Sequence, residues 1–148
     1  NSIFFIISTQ AAILAVESVD VQLGRIQESV KKLNGVLIVT ADHGNCEKMY
    51  DVETNVAHTA HTLNKVPFIV CDYSNDTQSA SRRIRSGRLA DIAPTMLELL
   101  QIEKPSEMDG SSLFVNEEEF EIESPRLQDG KRMVRPPREG NVDAGTVV

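Results

Sequence analysis

The chain has 148 residues, 41% of them hydrophobic and 25% charged, which are the values of one globular domain with a core of useful size. Its formal net charge of −7 excludes the basic face that nucleic acid or an anionic membrane rewards, while a phosphorylated small molecule stays admissible because a bound cation reverses local charge. No stretch approaches the ~18 apolar residues of a membrane span, and Cys46 and Cys71 lack CxxC or CxxH spacing, so they read as two small buried hydrophobes in a reducing, cytoplasmic setting.

Ile3 to Ile7 is an apolar run, but it is short and has neither a basic flank nor a small-residue cleavage site. The first residue is Asn rather than Met, and the expectation is a natural start further upstream. Residues 11–33 predict an amphipathic helix, because Ile13, Val16, Val19, Leu23, Ile26, Val30 and Leu33 recur at spacings of three and four. Asn34-Gly35 supplies its stop. Val36 to Thr40 is a continuous apolar, β-branched run, the pattern of a strand covered on both faces of a parallel sheet. Residues 44–62 are polar. Val66 to Cys71 predicts a second strand, with Pro67 suited to an edge strand or to the first positions of a strand.

After a polar stretch at 72–86, Leu89 to Leu100 predicts a second helix. Pro94 either kinks it or sits in its first turn, and Asp91 is available as a cap. Beyond Val115 the apolar period decays. An acidic block at 117–123 gives way to Arg126, Lys131, Arg132, Arg135 and Arg138 among Pro and Gly. Residues 115–148 are therefore expected to be a disordered tail, and residues 1–114 to be part of one domain. Helix, strand, loop, strand and helix in that order predict an α/β arrangement, one piece of a largely parallel sheet flanked by helices.

The polar loop carries the chemistry. Asp42 and His43 stand at the C-terminal end of the first strand, and every histidine of the chain lies between residues 43 and 61. Carboxylate and imidazole are ligands that Mn²⁺ and Zn²⁺ accept. Neighbours on a strand point to opposite faces, so both can reach one cation only if the strand has ended; Gly44-Asn45 supplies that ending. The bland alternative is a strand-end Asp and His bonded to loop backbone. His58 and His61 follow, and in a loop only one of them need face a metal. Glu47 and Asp51 read as ordinary surface acids, and Arg82, Arg83 and Arg85 as a solvated cluster rather than a phosphate site. No serine lies in a GxSxG context, so the chain offers half of a two-metal phosphoryl-transfer site and no nucleophile.

Taken together, Thr40-Ala-Asp-His-Gly-Asn45, His58-Thr-Ala-His-Thr62 and Asn64-Lys-Val-Pro-Phe-Ile69 resemble the cofactor-independent phosphoglycerate mutases of the alkaline phosphatase superfamily. So do Gly87 to Met96, Lys104 to Met108 and Gly110 to Leu113, and the resemblance covers roughly residues 8–113. It implies a cytoplasmic, monomeric glycolytic enzyme that interconverts 3-phosphoglycerate and 2-phosphoglycerate through a phosphoserine at a two-manganese site. Carried over, Asp42 and His43 would ligate one manganese and His61 the other, since the family's ligand stands at the second histidine of its HTAHT-like run. The serine and its companion aspartate have no counterpart here. Asn1 and Phe5 stand where the family's DMVGH-type segment would give an Asp and a His. The resemblance therefore implies a fragment that is inactive alone. Two alternatives stay open: a non-catalytic metal- or partner-binding remnant, and another alkaline-phosphatase-type phosphomutase.

Overall fold

The computed structural model describes residues 2–74, 82–116 and 142–147. Helix α1 spans Ser2–Lys32, so it begins well before the stripe at residue 11. The Ile3 to Ile7 run contains no Gly or Pro to break it and lies on the helix backbone. The helix ends as the sequence predicts. Asn34 adopts φ 51°, and Gly35 N donates to Val30 O at 3.0 Å, closing the last turn back on itself. Lys31 and Lys32 in that turn complement the helix dipole.

Strand β1 (Val36–Thr40) follows, then the two-residue strands β2 (Tyr50–Asp51) and β3 (Val56–Ala57), and β4 (Val66–Asp72). After these come β5 (Arg83–Ile84), a 3-10 turn over Leu89–Asp91, α2 (Ile92–Leu99), β6 (Phe114–Val115) and β7 (Val142–Val147). The principal sheet has the order β1-β4-β7. Both pairings are antiparallel, running from Val36↔Asp72 to Thr40↔Phe68 and from Val66↔Val147 to Cys71↔Val142. The α/β content is as expected, but the largely parallel arrangement is corrected among these strands. A parallel return needs a crossover, usually a helix. The 25 residues from Ala41 to Lys65 contain no helix and bring the chain back at the end where β1 stopped.

One further expectation changes. The tail expected to be disordered contains a six-residue strand on β4, Val142–Val147, and its first residue, Val115, lies in β6; its residues 117–141 and 148 lie outside the described residues. Of the two places open to Pro67 it takes the strand entry, as the second residue of the central strand β4 and one residue before the β1 pairing begins at Phe68. There its missing N–H interrupts no bond to β1.

The core gathers on one side of β4. Val66, Phe68 and Val70 alternate along the strand and are buried with Ile84, Leu113 and Val147. A polar hub locks α2 beside it. Asp91 accepts hydrogen bonds from Arg88 N and Ser111 N, each at 2.9 Å. Thr95 Oγ1 donates to Asp91 O at 2.7 Å and accepts from Leu113 N at 2.9 Å. Both residues are buried, and every one of these groups has a partner. Pro94 lies in the first turn of α2, where a helix tolerates it. Burial pushes the Asp91 carboxyl upward, but its two backbone donors and the charges of Arg88 and Arg85 hold it below its ordinary value.

Helix α1 packs on β1 and β3, and its C-terminal half carries the described hydrogen bond to the sheet. Leu23, Gln27 and Val30 are partly covered, and Gln27 Nε2 donates to Tyr73 Oη at 2.7 Å. The predicted stripe is otherwise open to solvent, with Val16 55%, Val19 66% and Leu33 81% exposed.

Candidate functional site

The site grows from the end of β1. Ala41 is half-buried against the core, Asp42 is exposed, and the chain then turns at the buried Gly44. Gly44 pairs across the loop with Thr62, donating to Thr62 O at 3.3 Å and accepting from Thr62 N at 2.9 Å. This one bridge brings the two predicted limbs of the site together. The rings of His43 and His61 stack, with centroids 3.6 Å apart and planes inclined by 29°. Asp42 Oδ1 lies 3.5 Å from His43 Nε2. Asp42 thus lies against His43 and His43 against His61 in two successive pairs, and β1, the turn and the Gly44–Thr62 bridge are what position them.

Each ring has a polar neighbour at Nδ1. His43 Nδ1 faces the carbonyl of Gly44 at 3.2 Å. A carbonyl only accepts, so this contact is a hydrogen bond when Nδ1 carries a proton, and Nε2 is the ring nitrogen on the side of Asp42. A backbone carbonyl behind a histidine is a common support for metal ligation. Asn45 Nδ2 lies 3.3 Å from His61 Nδ1. A side-chain amide at this nitrogen leaves Nε2 as the ring atom free to ligate.

His58 stands apart from this group. Its backbone N donates to Met49 O at 3.0 Å, beside the β2–β3 hairpin, and its buried Nδ1 has no hydrogen-bond partner among the described residues. The ring stacked on His43 is that of His61. Donor chemistry suits a divalent cation, but the set is incomplete. Among the described residues no three His, Cys, Asp or Glu side chains gather closely enough to hold one. Ring lone pairs lie in the ring plane, so two stacked imidazoles point side by side rather than at one point.

Sequence reasoning passed over the residues that hold the loop. Glu47 Oε2 accepts from Asn45 N at 2.6 Å, and Oε1 accepts from Asn64 Nδ2 at 3.0 Å and from Thr62 Oγ1. Led by the Thr62 bond, these contacts lower its carboxyl to a pKa of about 2. Asp51 Oδ1 accepts from Glu53 N at 3.0 Å and Thr54 N at 3.2 Å, closing the turn between β2 and β3. The Thr54 bond leads in holding its carboxyl below the usual range. Both acids are at the surface as expected, but neither is idle. An acid two residues before a backbone N–H in a polar turn was the available signal for Asp51. Cys71 is buried, and burial pushes its thiol up; Cys46, in the site loop, is exposed, contrary to expectation.

Arg85 Nη2 donates to Ser111 Oγ at 2.8 Å and to Ser112 O at 2.9 Å, and Arg82 lies over the Phe114 ring. These two members of the arginine cluster are therefore engaged within the fold rather than solvated.

Residues 8–104, a span that includes both limbs of the site, match the metalloenzyme superfamily. The chain belongs to this superfamily. Within it, the chain is 54% identical over 104 residues to a 2,3-bisphosphoglycerate-independent phosphoglycerate mutase of Cereibacter sphaeroides, covering 70% of this chain and 20% of that protein. It is 58% identical over 106 residues to the mutase of Wolbachia pipientis, covering 70% and 19%, and 48% identical over 99 residues to that of Ehrlichia ruminantium, covering 67% and 19%. The chain spans about a fifth of the length of these curated relatives. Thr40 to Asn45 and His58 to Thr62, which carried the resemblance, both fall inside the matched span.

Proposed function

We propose that this chain is the C-terminal part of the metal-binding domain of a cytoplasmic, monomeric phosphoglycerate mutase, which interconverts 3-phosphoglycerate and 2-phosphoglycerate by way of a phosphoserine. The observation that carries this reading is the His43–His61 stack at the end of β1, set within a span 48–58% identical to such mutases. Asp42 and His43 would hold one Mn²⁺ and His61 a second, with the remaining ligands and the serine supplied from outside this sequence. Bound there, the paired cations would supply charge to the transferring phosphoryl group and acidify the nucleophile.

The chain's own contribution is orientation. Gly44 O gives His43 Nδ1 a backbone neighbour at 3.2 Å, and the Gly44–Thr62 bridge brings His61 alongside it. The parallel strands expected of an alkaline-phosphatase-like domain would then belong to the rest of the enzyme. A non-catalytic remnant is the second reading, favoured by the absence of a three-donor group among the described residues.

Replacing the matching segment of the Cereibacter sphaeroides mutase with residues 8–113 of this chain separates the two readings. A chimera that turns over 3-phosphoglycerate with Mn²⁺, and loses this on Asp42→Ala, His43→Ala or His61→Ala, supports the mutase reading. A folded chimera with no turnover makes the chain a remnant.

A further inference from the structure

Resting on the metal-site reading above, we propose that Glu47 is the positioning residue of this site. Its carboxylate clamps the turn after β1 to the returning limb of the loop and so sets the stack of His43 on His61. Three observations carry this independently of any metal. The two oxygens divide their work: Oε2 accepts from Asn45 N, on the limb of His43, while Oε1 accepts from Asn64 Nδ2 and Thr62 Oγ1, on the limb of His61. Thr62 Oγ1 also accepts from Asn64 N at 3.3 Å, so the returning limb is itself braced where Glu47 grips it. Finally, the space that a side chain at position 44 would need is filled by this clamp, since a Cβ there would lie 2.8 Å from Glu47 Cδ and press into Thr62 Oγ1.

Packing is not the purpose of Glu47, because it is exposed. Nor is charge pairing, because the neighbouring cation, Lys48, lies instead 3.9 Å from Asp51. A carboxylate with three donors between two limbs is a strut, and each limb carries one ring of the stack. Gln at this position keeps an acceptor for Thr62 and Asn64, but turns a donor toward Asn45 N.

The test is made on the full chain, following the Cε1–Hε1 signals of His43 and His61 by NMR. Wild type, Glu47→Ala, Glu47→Gln, Thr62→Val and the Glu47→Ala/Thr62→Val pair are compared, with the β1–β4 amide signals recorded alongside. In the wild type each ring should shift the other's signals upfield. Glu47→Ala and Thr62→Val should each move both toward free imidazole, the pair no further than either alone, and Glu47→Gln part of the way, with β1–β4 amides unmoved. Unchanged histidine signals in Glu47→Ala or Thr62→Val overturn the proposal. Should Glu47→Ala fail to fold, Glu47→Gln decides alone: signals identical to wild type overturn it.

Mn²⁺ titration then addresses the site itself. If the site binds Mn²⁺, both histidines broaden in the wild type and the affinity falls about ten- to a hundred-fold in Glu47→Ala. Wild-type rings that never broaden would overturn the metal reading, and in that case the clamp is judged on the stacking signals. A metal that binds both variants equally overturns the clamp and leaves the metal reading standing.

Discussion

Asp91 is 3% exposed and ionised, and it is tolerated because Arg88 N and Ser111 N both donate to it. Asp91→Asn keeps one acceptor oxygen and turns an amide N–H₂ toward a donor, which costs about 1–3 kcal/mol of stability at neutral pH by urea denaturation. The sign with pH follows from a folded pKa held below the ordinary 3.8. The carboxylate's contribution is complete above roughly pH 5 and is lost as pH falls through 3.8 toward the folded value. The gap between wild type and Asp91→Asn should therefore close on acidification; a gap that widens would contradict the hydrogen-bond assignment. From sequence, Asp91 was legible only as a cap for the helix beginning near it. Its second partner, Ser111, stands twenty residues further on, and no local pattern announces such a contact. Asp42 and His43 were legible because a strand, a turn and two ligand-type side chains coincide in nine residues.

At the level of elements, α1, β1, β4 and α2 were each visible in hydrophobic periodicity, and their ends were marked by Asn34-Gly35 and Gly44. Strand direction was not visible. A continuous apolar run such as Val36 to Thr40 suits a doubly covered strand in either orientation, and only the absence of a helix between β1 and β4 tells them apart. β7 escaped notice because Val142–Val147 follows a long stretch rich in charge, Pro and Gly. The docking of α1 rests visibly on Gln27 and Tyr73. Tyr73→Phe removes that bond and should cost about 0.5–1.5 kcal/mol. Hydrogen exchange reads it directly: amides of Leu23 to Val30 should exchange faster while those of β4 do not.

On the scale of the whole molecule, Ile13, Val16, Val19, Ile26 and Leu33 leave a long apolar stripe on α1 in water. The chain expressed by itself is expected to self-associate, and Val16→Lys with Val19→Lys to reduce this. Sedimentation velocity gives the answer, since a wild-type monomer independent of concentration would refute it. With no nucleophilic serine and no three-donor group among its described residues, the purified chain is expected to give no turnover of 3-phosphoglycerate in Mn²⁺. Any phosphoserine or product formation would show that a different set of side chains does the chemistry.

The outer edge of β7 is capped where Gly87 N donates to Thr146 O at 3.0 Å. The outer edge of β1 has no strand beside it among the described residues, because β1 closes one side of the β1-β4-β7 order. The row of backbone groups that would seat a newcomer therefore belongs to the very strand whose tip displays Asp42 and His43. Any segment that paired with β1 would run past that tip, so a change at this edge of the sheet would reach Asp42 and His43 directly.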